Sequence, residues 1–421
     1  MKNLVTSAFL FISLLSFAQN QHKETGEAFI KLLLQEKNYE KAYAFFDESV
    51  KSKISSALLK TTEQQLENQL GKFNNIIEIN NENSTYFYYA DFEKMKLDIK
   101  ITLNEANKIM GFFFSPHREF NKKNLLGSDL NIKSDNITLK GTILIPEKNN
   151  LKKLVIFVHG SGPQDRDETI YENKPFKDIA ESLYQKGIAS YRFDKKTLTN
   201  PESFNDKSTI DDEVTNDIVN IITYFKENDQ YAAYEIILLG HSLGANLMPR
   251  IAGKSAQISK LILLAGNARP LEKLIAEQYD YLYKQNPSPE LQEAAKKIKK
   301  QITVLTSKSF NVHTPKEELP FNLSGYYWKS VLDYNPLKEV KNVKIPMLIL
   351  QGERDYQVTM EDFELWKSTL KNNKKSSFIS YPTLNHLFMN SENASEPKEY
   401  MIKGNVDEKV INDIYNFIEK N

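Results

Sequence analysis

Long apolar runs at regular intervals constrain the fold of this chain more than any other feature. The runs lie at Leu154–Val158, Ile236–Leu239, Ile258–Leu264 and Ile345–Leu350, and the first is a continuous stretch of apolar residues. A strand with no polar alternation belongs to a sheet that is covered on both faces. Amphipathic helical patterns lie between the runs, so the sequence predicts a mostly parallel sheet with crossover helices.

The alternation of helix and strand patterns is interrupted once. Between about 269 and 336, long amphipathic stretches around Leu271–Tyr283 and Leu291–Leu305 replace the strands, which predicts an inserted helical cap. The alternation then resumes and ends with a helical pattern at Val410–Ile418. We therefore expect an α/β domain over residues 125–421 that carries the cap.

The first part of the chain follows a different pattern. Residues 23–70 have helical spacing, whereas residues 74–114 alternate between polar and apolar residues as in antiparallel strands. At 421 residues the chain exceeds the usual size of one domain. We predict a small α+β domain over residues 22–118, which resembles the cone-shaped, helix-then-sheet modules that precede some bacterial hydrolase domains.

The N-terminal residues have the pattern of a secretory signal peptide. Met1–Asn3 is positively charged, Leu4–Phe17 is nearly all apolar or small, and Ser16–Ala18 offers small residues for a signal peptidase. A membrane anchor is the alternative, but the apolar run is shorter than the roughly 20 residues of a spanning helix. We expect cleavage after Ala18, and a soluble periplasmic or secreted protein with no stable membrane anchor.

Charge and cysteine content exclude several classes of partner and site. Lys+Arg and Asp+Glu both total 55, so no net charge attracts nucleic acid or an anionic membrane. The chain has no cysteine, which excludes disulfides, thiolate metal sites and a cysteine nucleophile. No spacing of His, Asp and Glu stands out as a metal site, and we expect neither a metal nor a cofactor.

The segment Gly240-His241-Ser242-Leu243-Gly244 points to a nucleophilic serine. It follows the apolar run Ile236–Leu239 and precedes a helix-compatible stretch, the strand–turn–helix context that exposes such a serine. Glycines are needed because the sharp turn leaves no room for neighbouring side chains. The pentapeptide alone is weak evidence, so the surrounding sequence has to support it.

Three further segments support the interpretation of Ser242 as a nucleophile. They are His159–Asp167, Tyr191–Lys196 and Gly352–Val358. From about residue 125 the chain resembles the α/β-hydrolase superfamily, nearest to secreted bacterial hydrolases of the serine aminopeptidase, prolyl-oligopeptidase-like and acyl-CoA thioester hydrolase branches. In those relatives the second segment ends in Arg-Gly, whereas here Lys196-Thr197 follows Lys195.

The resemblance implies a catalytic triad in the chain order serine, acid, histidine. Among six histidines, only His386 follows an acid on a plausible late strand. Asp355 comes just after the strand Met347–Leu350 and is the predicted acid, with Glu353 as its competitor. In this scheme His386 accepts the proton of Ser242, and Asp355 orients the imidazole and stabilises its charged form.

The same resemblance implies two backbone donors for the oxyanion that forms during acyl transfer. One is the N–H of Leu243, the residue after the nucleophile. The other lies on the loop His159–Pro163 and is assigned to Ser161, with Gly162 as the alternative.

Other polar and aromatic residues near these motifs are open to two interpretations. Arg166 could bind a substrate carboxylate, although an internal ion pair with Asp194 or its neighbours is favoured, and His241 is interpreted as structural. Aromatic residues of the cap region either line a substrate pocket or form the core of the cap: Tyr279, Tyr281, Tyr283, Phe310, Tyr326, Tyr327 and Trp328.

These patterns favour a secreted serine hydrolase that cleaves a carboxylic ester through an acyl-enzyme. A serine peptidase acting on short peptides and a thioesterase use the same chemistry and stay as alternatives. A non-catalytic binding protein on a hydrolase scaffold is a further one. The sequence leaves the identity of the small-molecule substrate and the oligomeric state open.

Overall fold

A computed structural model describes residues 22–52, 54–82, 84–115, 117, 126–391 and 395–420. The chain divides into two compact units, Met1–Leu125 and Leu126–Asn421. The predicted signal peptide and the predicted domain boundary at 118–125 lie outside the described residues. Within the described ranges, no helix is long and apolar enough to cross a membrane.

The first unit begins with four helices. Helix α1 covers residues 22–30 and continues as a π-helical turn, Lys31–Gln35. The next three are α2 (Tyr39–Tyr43), α3 (Glu48–Lys51) and α4 (Ser56–Leu70). Helix α4 begins where the Ser55 hydroxyl accepts a hydrogen bond from the Leu58 N–H at 3.1 Å. It ends at Gly71, whose φ of 77° is one that glycine adopts readily.

A four-stranded antiparallel sheet follows the helices in the first unit. Its strands pair in chain order and are β1 (Phe73–Glu82), β2 (Thr85–Phe92), β3 (Lys96–Leu103) and β4 (Ile109–Ser115). Apolar side chains of α1, such as Phe29 and Ile30, share one core with strand residues such as Tyr88 and Ile99. The predicted change from helical spacing to strand alternation is therefore confirmed.

The second unit contains an eight-stranded sheet in the order β14-β13-β12-β11-β9-β10-β8-β5, and a separate hairpin β6-β7. Its strands are β5 (Ser128–Asp129), β6 (Ile132–Ser134), β7 (Ile137–Leu139), β8 (Gly141–Leu144), β9 (Lys153–Val158), β10 (Ala189–Phe193), β11 (Glu235–His241), β12 (Ile258–Leu264), β13 (Met347–Gly352) and β14 (Ser376–Tyr381). Strands β9 to β14 pair in parallel, and only β8 and β5 add antiparallel pairs among the described strands of this sheet.

The helices of the second unit are α5 (Pro175–Gln185), α6 (Lys196–Thr199), α7 (Asn216–Glu227), α8 (Leu243–Asn246), α9 (Met248–Lys254), α10 (Leu271–Gln285), α11 (Pro289–Leu305), α12 (Gly325–Asp333), α13 (Pro336–Glu339), α14 (Met360–Thr369) and α15 (Glu408–Glu419). Helices α10 to α12 lie between β12 and β13 in the chain, where the sequence predicted a cap. The predicted fold class, an α/β-hydrolase sheet with a helical cap, preceded in the chain by a small α+β domain, is confirmed.

Strand β9 shows why the apolar runs lack alternation. Leu154 and Ile156 belong to the core on one face of the sheet, and Val155 and Phe157 to the core on the other. All four side chains are fully buried. Because helices cover both faces, every position of such a strand is apolar.

Local structure differs from the sequence prediction after the nucleophile segment. The helix-compatible stretch after Ser242 forms two helices, α8 and α9, which are divided at Leu247. Pro249 explains the break, because proline has no N–H to continue the hydrogen bonding of α8 and its ring crowds the preceding turn.

Candidate active site

Ser242 lies in a strained turn between β11 and α8. Its backbone has φ 53° and ψ −118°, a conformation that is rare for residues with a side chain. A Cβ atom on Gly240 would lie 2.4 Å from Met248 Cε, and one on Gly244 would lie 2.2 Å from the Val158 carbonyl oxygen. Only glycine fits at these two positions, so the elbow can approach the end of β9.

His386 and Asp355 form a buried pair close to this turn. The distance from His386 Nδ1 to Asp355 Oδ2 is 2.6 Å, and both residues are buried. The other carboxylate oxygen of Asp355 accepts hydrogen bonds from the N–H groups of Gln357 at 2.8 Å and Val358 at 3.0 Å. These bonds hold the carboxylate in one orientation toward the imidazole.

The competing acid, Glu353, lies elsewhere. Its side chain is exposed and accepts a hydrogen bond from the Ser380 hydroxyl at 2.7 Å. The geometry therefore places Asp355, and not Glu353, against His386.

A backbone contact brings His386 next to the elbow. His241 Nε2 lies 2.9 Å from the His386 carbonyl oxygen, and the two imidazole rings are 4.5 Å apart between centroids. A carbonyl oxygen only accepts, so His241 carries a proton on Nε2. Among the described residues, the Ser242 hydroxyl forms no hydrogen bond, which leaves it free to turn toward a substrate and toward His386.

Glu168 completes the support of the elbow, a role that no motif in the sequence indicates. Its Oε2 lies 3.0 Å from His241 Nδ1, and its Oε1 accepts a hydrogen bond from the Gly160 N–H at 2.7 Å. Burial lowers the pKa of His241, but the Glu168 carboxylate outweighs burial and raises that pKa overall. Burial also opposes ionisation of Glu168, yet His241 lowers its pKa. The two residues thus form a buried histidine–carboxylate pair.

The backbone of the loop after β9 leaves one N–H available near Ser242. Gly160 donates to Glu168, and Gly162 donates to Glu213 Oε1 at 3.1 Å. Among the described residues, the N–H groups of Ser161 and Leu243 have no acceptor. Since a Cβ atom on Gly160 would lie 3.3 Å from Ser242 Cβ, this loop lies directly against the nucleophile. The geometry thus favours Ser161 over Gly162 as the second oxyanion donor.

The carbonyl groups of the same loop are bound by a buried lysine. Lys195 is 2 % exposed, and its Nζ donates to the carbonyl oxygens of Gly160 at 2.8 Å and Gly162 at 3.0 Å. The same Nζ pairs with Glu213 Oε1 at 2.5 Å. Glu213 Oε2 in turn accepts a hydrogen bond from the Tyr327 hydroxyl of α12 at 2.5 Å. In the sequence, Lys195 belongs to the segment Tyr191–Lys196, and nothing in that segment indicates its role.

The structure shows the contacts of Arg166 and of three aromatic residues of the cap. Arg166 forms two hydrogen bonds to the carboxylate of Asp194, at 3.0 and 2.7 Å, which is the internal ion pair that the sequence favoured. Trp328 and Tyr327 are buried core residues, whereas Tyr281 stacks on Tyr356 with 5.2 Å between ring centroids.

Cap residues line two cavities in the described part of the chain. The larger, about 410 Å³, is lined by α10 residues including Tyr281 and by the loop that carries Asp355. The smaller, about 160 Å³, lies beside Leu243 and is lined by apolar residues including Leu271, Val331 and Leu332. In the part of the chain that the structure describes, no group of three or more His, Asp or Glu residues is placed to hold a metal ion.

Each of the two units matches a known family. Residues 325–419 match the Dienelactone hydrolase family, and residues 27–112 match a family of proteins of unknown function, DUF3887. Esterase EstD of Thermotoga maritima is 32% identical over 399 residues, which span 92% of this chain and 93% of that protein.

Solved structures that match part of this chain include two further esterases. A Pyrococcus furiosus esterase is 17% identical with a TM-score of 0.47, and the match covers 72% of this chain and 95% of that one. Est1E from Butyrivibrio proteoclasticus is 21% identical with a TM-score of 0.45, covering 70% and 100% of the two chains. On the strength of its full-length match to Esterase EstD, the chain belongs to the α/β-hydrolase superfamily, in the same family as that esterase, and is a hydrolase.

Proposed function

We propose that this protein is a carboxylic ester hydrolase that works through an acyl-enzyme on Ser242. The observation that carries the proposal is the 2.6 Å pair of His386 and Asp355 beside a strained serine elbow. The ester class rests on the similarity to Esterase EstD. Peptide and thioester hydrolysis use the same groups and are outcomes that the test below separates.

The proposed reaction starts with attack of the Ser242 hydroxyl on the ester carbonyl. Asp355 occupies Nδ1 of His386, so Nε2 is the nitrogen that accepts the serine proton. The carbonyl oxygen becomes an oxyanion that accepts hydrogen bonds from the N–H groups of Ser161 and Leu243. His386 then donates the proton to the leaving alcohol, and a water molecule that His386 deprotonates releases the acid from Ser242.

The open hydroxyl of Ser242 is compatible with this scheme. Catalytic hydrogen bonds are often long or absent in a free enzyme and form when substrate binds. His241 and Glu168 hold the main chain of His386, of the elbow and of the oxyanion loop together. Substrate binding therefore has to reorient only the serine side chain.

Covalent labelling and turnover test the proposal directly. We expect the wild-type protein to react with a fluorophosphonate at Ser242 and to release nitrophenol from short-chain acyl esters. Ser242→Ala should lose both reactions while keeping its circular dichroism spectrum. A folded wild-type protein that is neither labelled nor active would contradict the proposal. Faster turnover of aminoacyl amides or thioesters on the same panel would replace the ester assignment.

We also propose that the protein is exported, with cleavage after Ala18. The proposal rests on the charged, apolar and small-residue segments of the first 18 residues. Expression of the full chain in a Gram-negative host, followed by intact mass measurement of the periplasmic fraction, should give a chain that begins at Gln19. A full-length chain found only in the cytoplasm would contradict export.

A further inference from the structure

The proposed reaction gives no role to Lys195, a buried ammonium beside the oxyanion loop. Its Nζ contacts two main-chain oxygens and one carboxylate, and none of these contacts lies on the surface. A lysine is seldom buried unless it is paired, because transfer of its charge from water is costly. Burial of the Lys195 charge therefore indicates a role other than packing.

The contact of the Lys195 ammonium with the Gly160 carbonyl indicates what this role is. The Gly160 carbonyl that accepts from Lys195 and the Ser161 N–H belong to the same peptide group. In a trans peptide the carbonyl and the N–H point in opposite directions. Lys195 therefore binds the carbonyl oxygen of a peptide group whose N–H, on the opposite side, is the proposed oxyanion donor.

A hydrogen bond to a carbonyl oxygen strengthens the N–H of the same peptide as a donor. Chained hydrogen bonds polarise one another, and a cationic donor does so more strongly than a neutral one. Glu213 keeps the ammonium in place, since it binds Lys195 through one carboxylate oxygen and Tyr327 through the other. The electrostatic effect reaches the oxyanion without any contact between Lys195 and the substrate.

We propose that Lys195 is a positioning residue that fixes the oxyanion loop and strengthens the Ser161 N–H toward the negative charge of the tetrahedral intermediate. The proposal rests on the proposed function, because it needs an oxyanion beside Ser161. It adds a lysine and its Glu213 partner to the machinery of the reaction.

The neighbouring residue provides a matched control. Lys196 is also buried, and its Nζ pairs with Asp217 Oδ1 at 3.3 Å. Among the described residues, Lys196 donates no hydrogen bond to the loop 160–162. Replacing each lysine together with its acid avoids a buried unpaired charge, so K195M/E213Q and K196M/D217N perturb the core in similar ways.

The experiment measures the oxyanion itself. A trifluoromethyl ketone labelled with ¹³C at the carbonyl forms a hemiketal with Ser242, and the pKa of its oxyanion is read by NMR titration. We expect K195M/E213Q to raise that pKa by about one unit and to lower kcat by about tenfold with KM unchanged, a smaller loss than removal of a whole donor. K196M/D217N should leave all three quantities near the wild-type values.

Each outcome decides between the alternatives. A wild-type oxyanion pKa in K195M/E213Q, a loss expressed only in KM, or an equal shift in K196M/D217N would overturn the role of Lys195. If K195M/E213Q does not fold, E213Q keeps the ammonium and removes only the opposing charge, so the oxyanion pKa should fall, and a rise would contradict the proposal. Failure of the wild-type protein to form the hemiketal would instead refute the proposed function.

Discussion

At the scale of single residues, buried charged side chains hold the main chain of the site. Glu168 and Glu213 accept from the N–H groups of Gly160 and Gly162, and Lys195 donates to both carbonyl oxygens. An unpaired buried charge would destabilise the fold, but each of these charges has an opposite partner. The main chain on either side of Ser161 is therefore held by these hydrogen bonds before substrate binds.

The choice of acid leads to a prediction for two neighbouring carboxylates. Asp355→Asn should lower kcat by about 10⁴-fold. The amide favours the wrong tautomer of His386, and it cannot stabilise the positive charge that the imidazole gains during the reaction. Glu353→Gln should keep most of the activity, since Glu353 contacts Ser380 at the exposed end of β14. Steady-state kinetics with a nitrophenyl ester measures both variants. The reverse order of activities would show that Glu353 is the acid.

His159 leads to a prediction for stability against pH. Burial lowers its pKa from 6.5 to about 4. Between pH 6.5 and pH 4, His159 is therefore protonated in the unfolded chain but not in the folded protein. The contribution of His159 to stability is lost as pH falls from about 6.5 to 4. The full loss is about 3 kcal/mol.

The comparison of wild type with His159→Gln isolates this effect, because Gln can still donate to the Asp165 carbonyl that His159 Nε2 contacts at 3.0 Å. Urea unfolding at pH 7 and at pH 4 should show a free energy of unfolding that falls more in the wild type than in the variant. Equal losses in the two proteins would show that His159 is not the group that titrates.

At the scale of elements, the nucleophile turn depends on how closely α8 approaches β9. A Cβ atom on Gly244 would lie 2.2 Å from the Val158 oxygen and 2.6 Å from the His159 oxygen. Neither carbonyl can move away without distorting the strand that leads into the oxyanion loop. The spacing of α8 from β9 and the position of Ser161 are therefore coupled.

Gly244 of α8 and Gly253 of α9 test this coupling. Gly244→Ala should abolish ester hydrolysis, because the methyl group pushes α8 and Ser242 away from the loop. Gly253→Ala should retain activity and raise the free energy of unfolding by about 0.5 kcal/mol, because nothing lies within 4 Å of its Cβ position and alanine favours the helix. Kinetics and urea unfolding measure the pair. An active Gly244→Ala enzyme would refute the steric argument.

At the scale of the whole molecule, one buried arginine fastens the start of the cap to the sheet domain. Arg269 binds Asp362 through Nε at 3.1 Å and Nη2 at 2.8 Å, and binds Glu277 of α10 at 2.6 Å. Asp362 is fully buried near the start of α14 and also accepts from the main chain of Ala268 and Arg269. The cap thus begins at an ion pair that is shielded from solvent.

Arg269→Met should destabilise the second unit by about 3 kcal/mol, because it leaves the carboxylate of Asp362 buried without its cation. Both tryptophans, Trp328 and Trp366, lie in that unit, so their fluorescence during urea unfolding reports on it selectively. The control Lys329→Met breaks an exposed pair with Asp333 and should change stability by less than about 0.5 kcal/mol. Equal effects of the two substitutions would show that burial of the Arg269 pair contributes nothing.

The amino-acid sequence by itself determined the features that arise from local pattern. Apolar runs such as Leu154–Val158 identified the doubly covered sheet, because burial on both faces excludes polar residues from every position. The turn at Ser242 was visible because a sharp strand-to-helix connection demands glycine at fixed offsets. Chain order then selected His386. Cleavage after Ala18 stays a prediction, since it falls outside the described residues.

Only the tertiary structure decided which polar groups meet. The family resemblance favoured Asp355 over Glu353 as the acid, and the turn after β13 places the Asp355 side chain against His386. The pairs Glu168–His241 and Lys195–Glu213 join residues far apart in the chain, whose side chains have no periodicity that marks a partner. Hydrogen bonds and ion pairs depend on distance and angle within a few tenths of an ångström, and those are set when the sheet, the loops and the cap pack together.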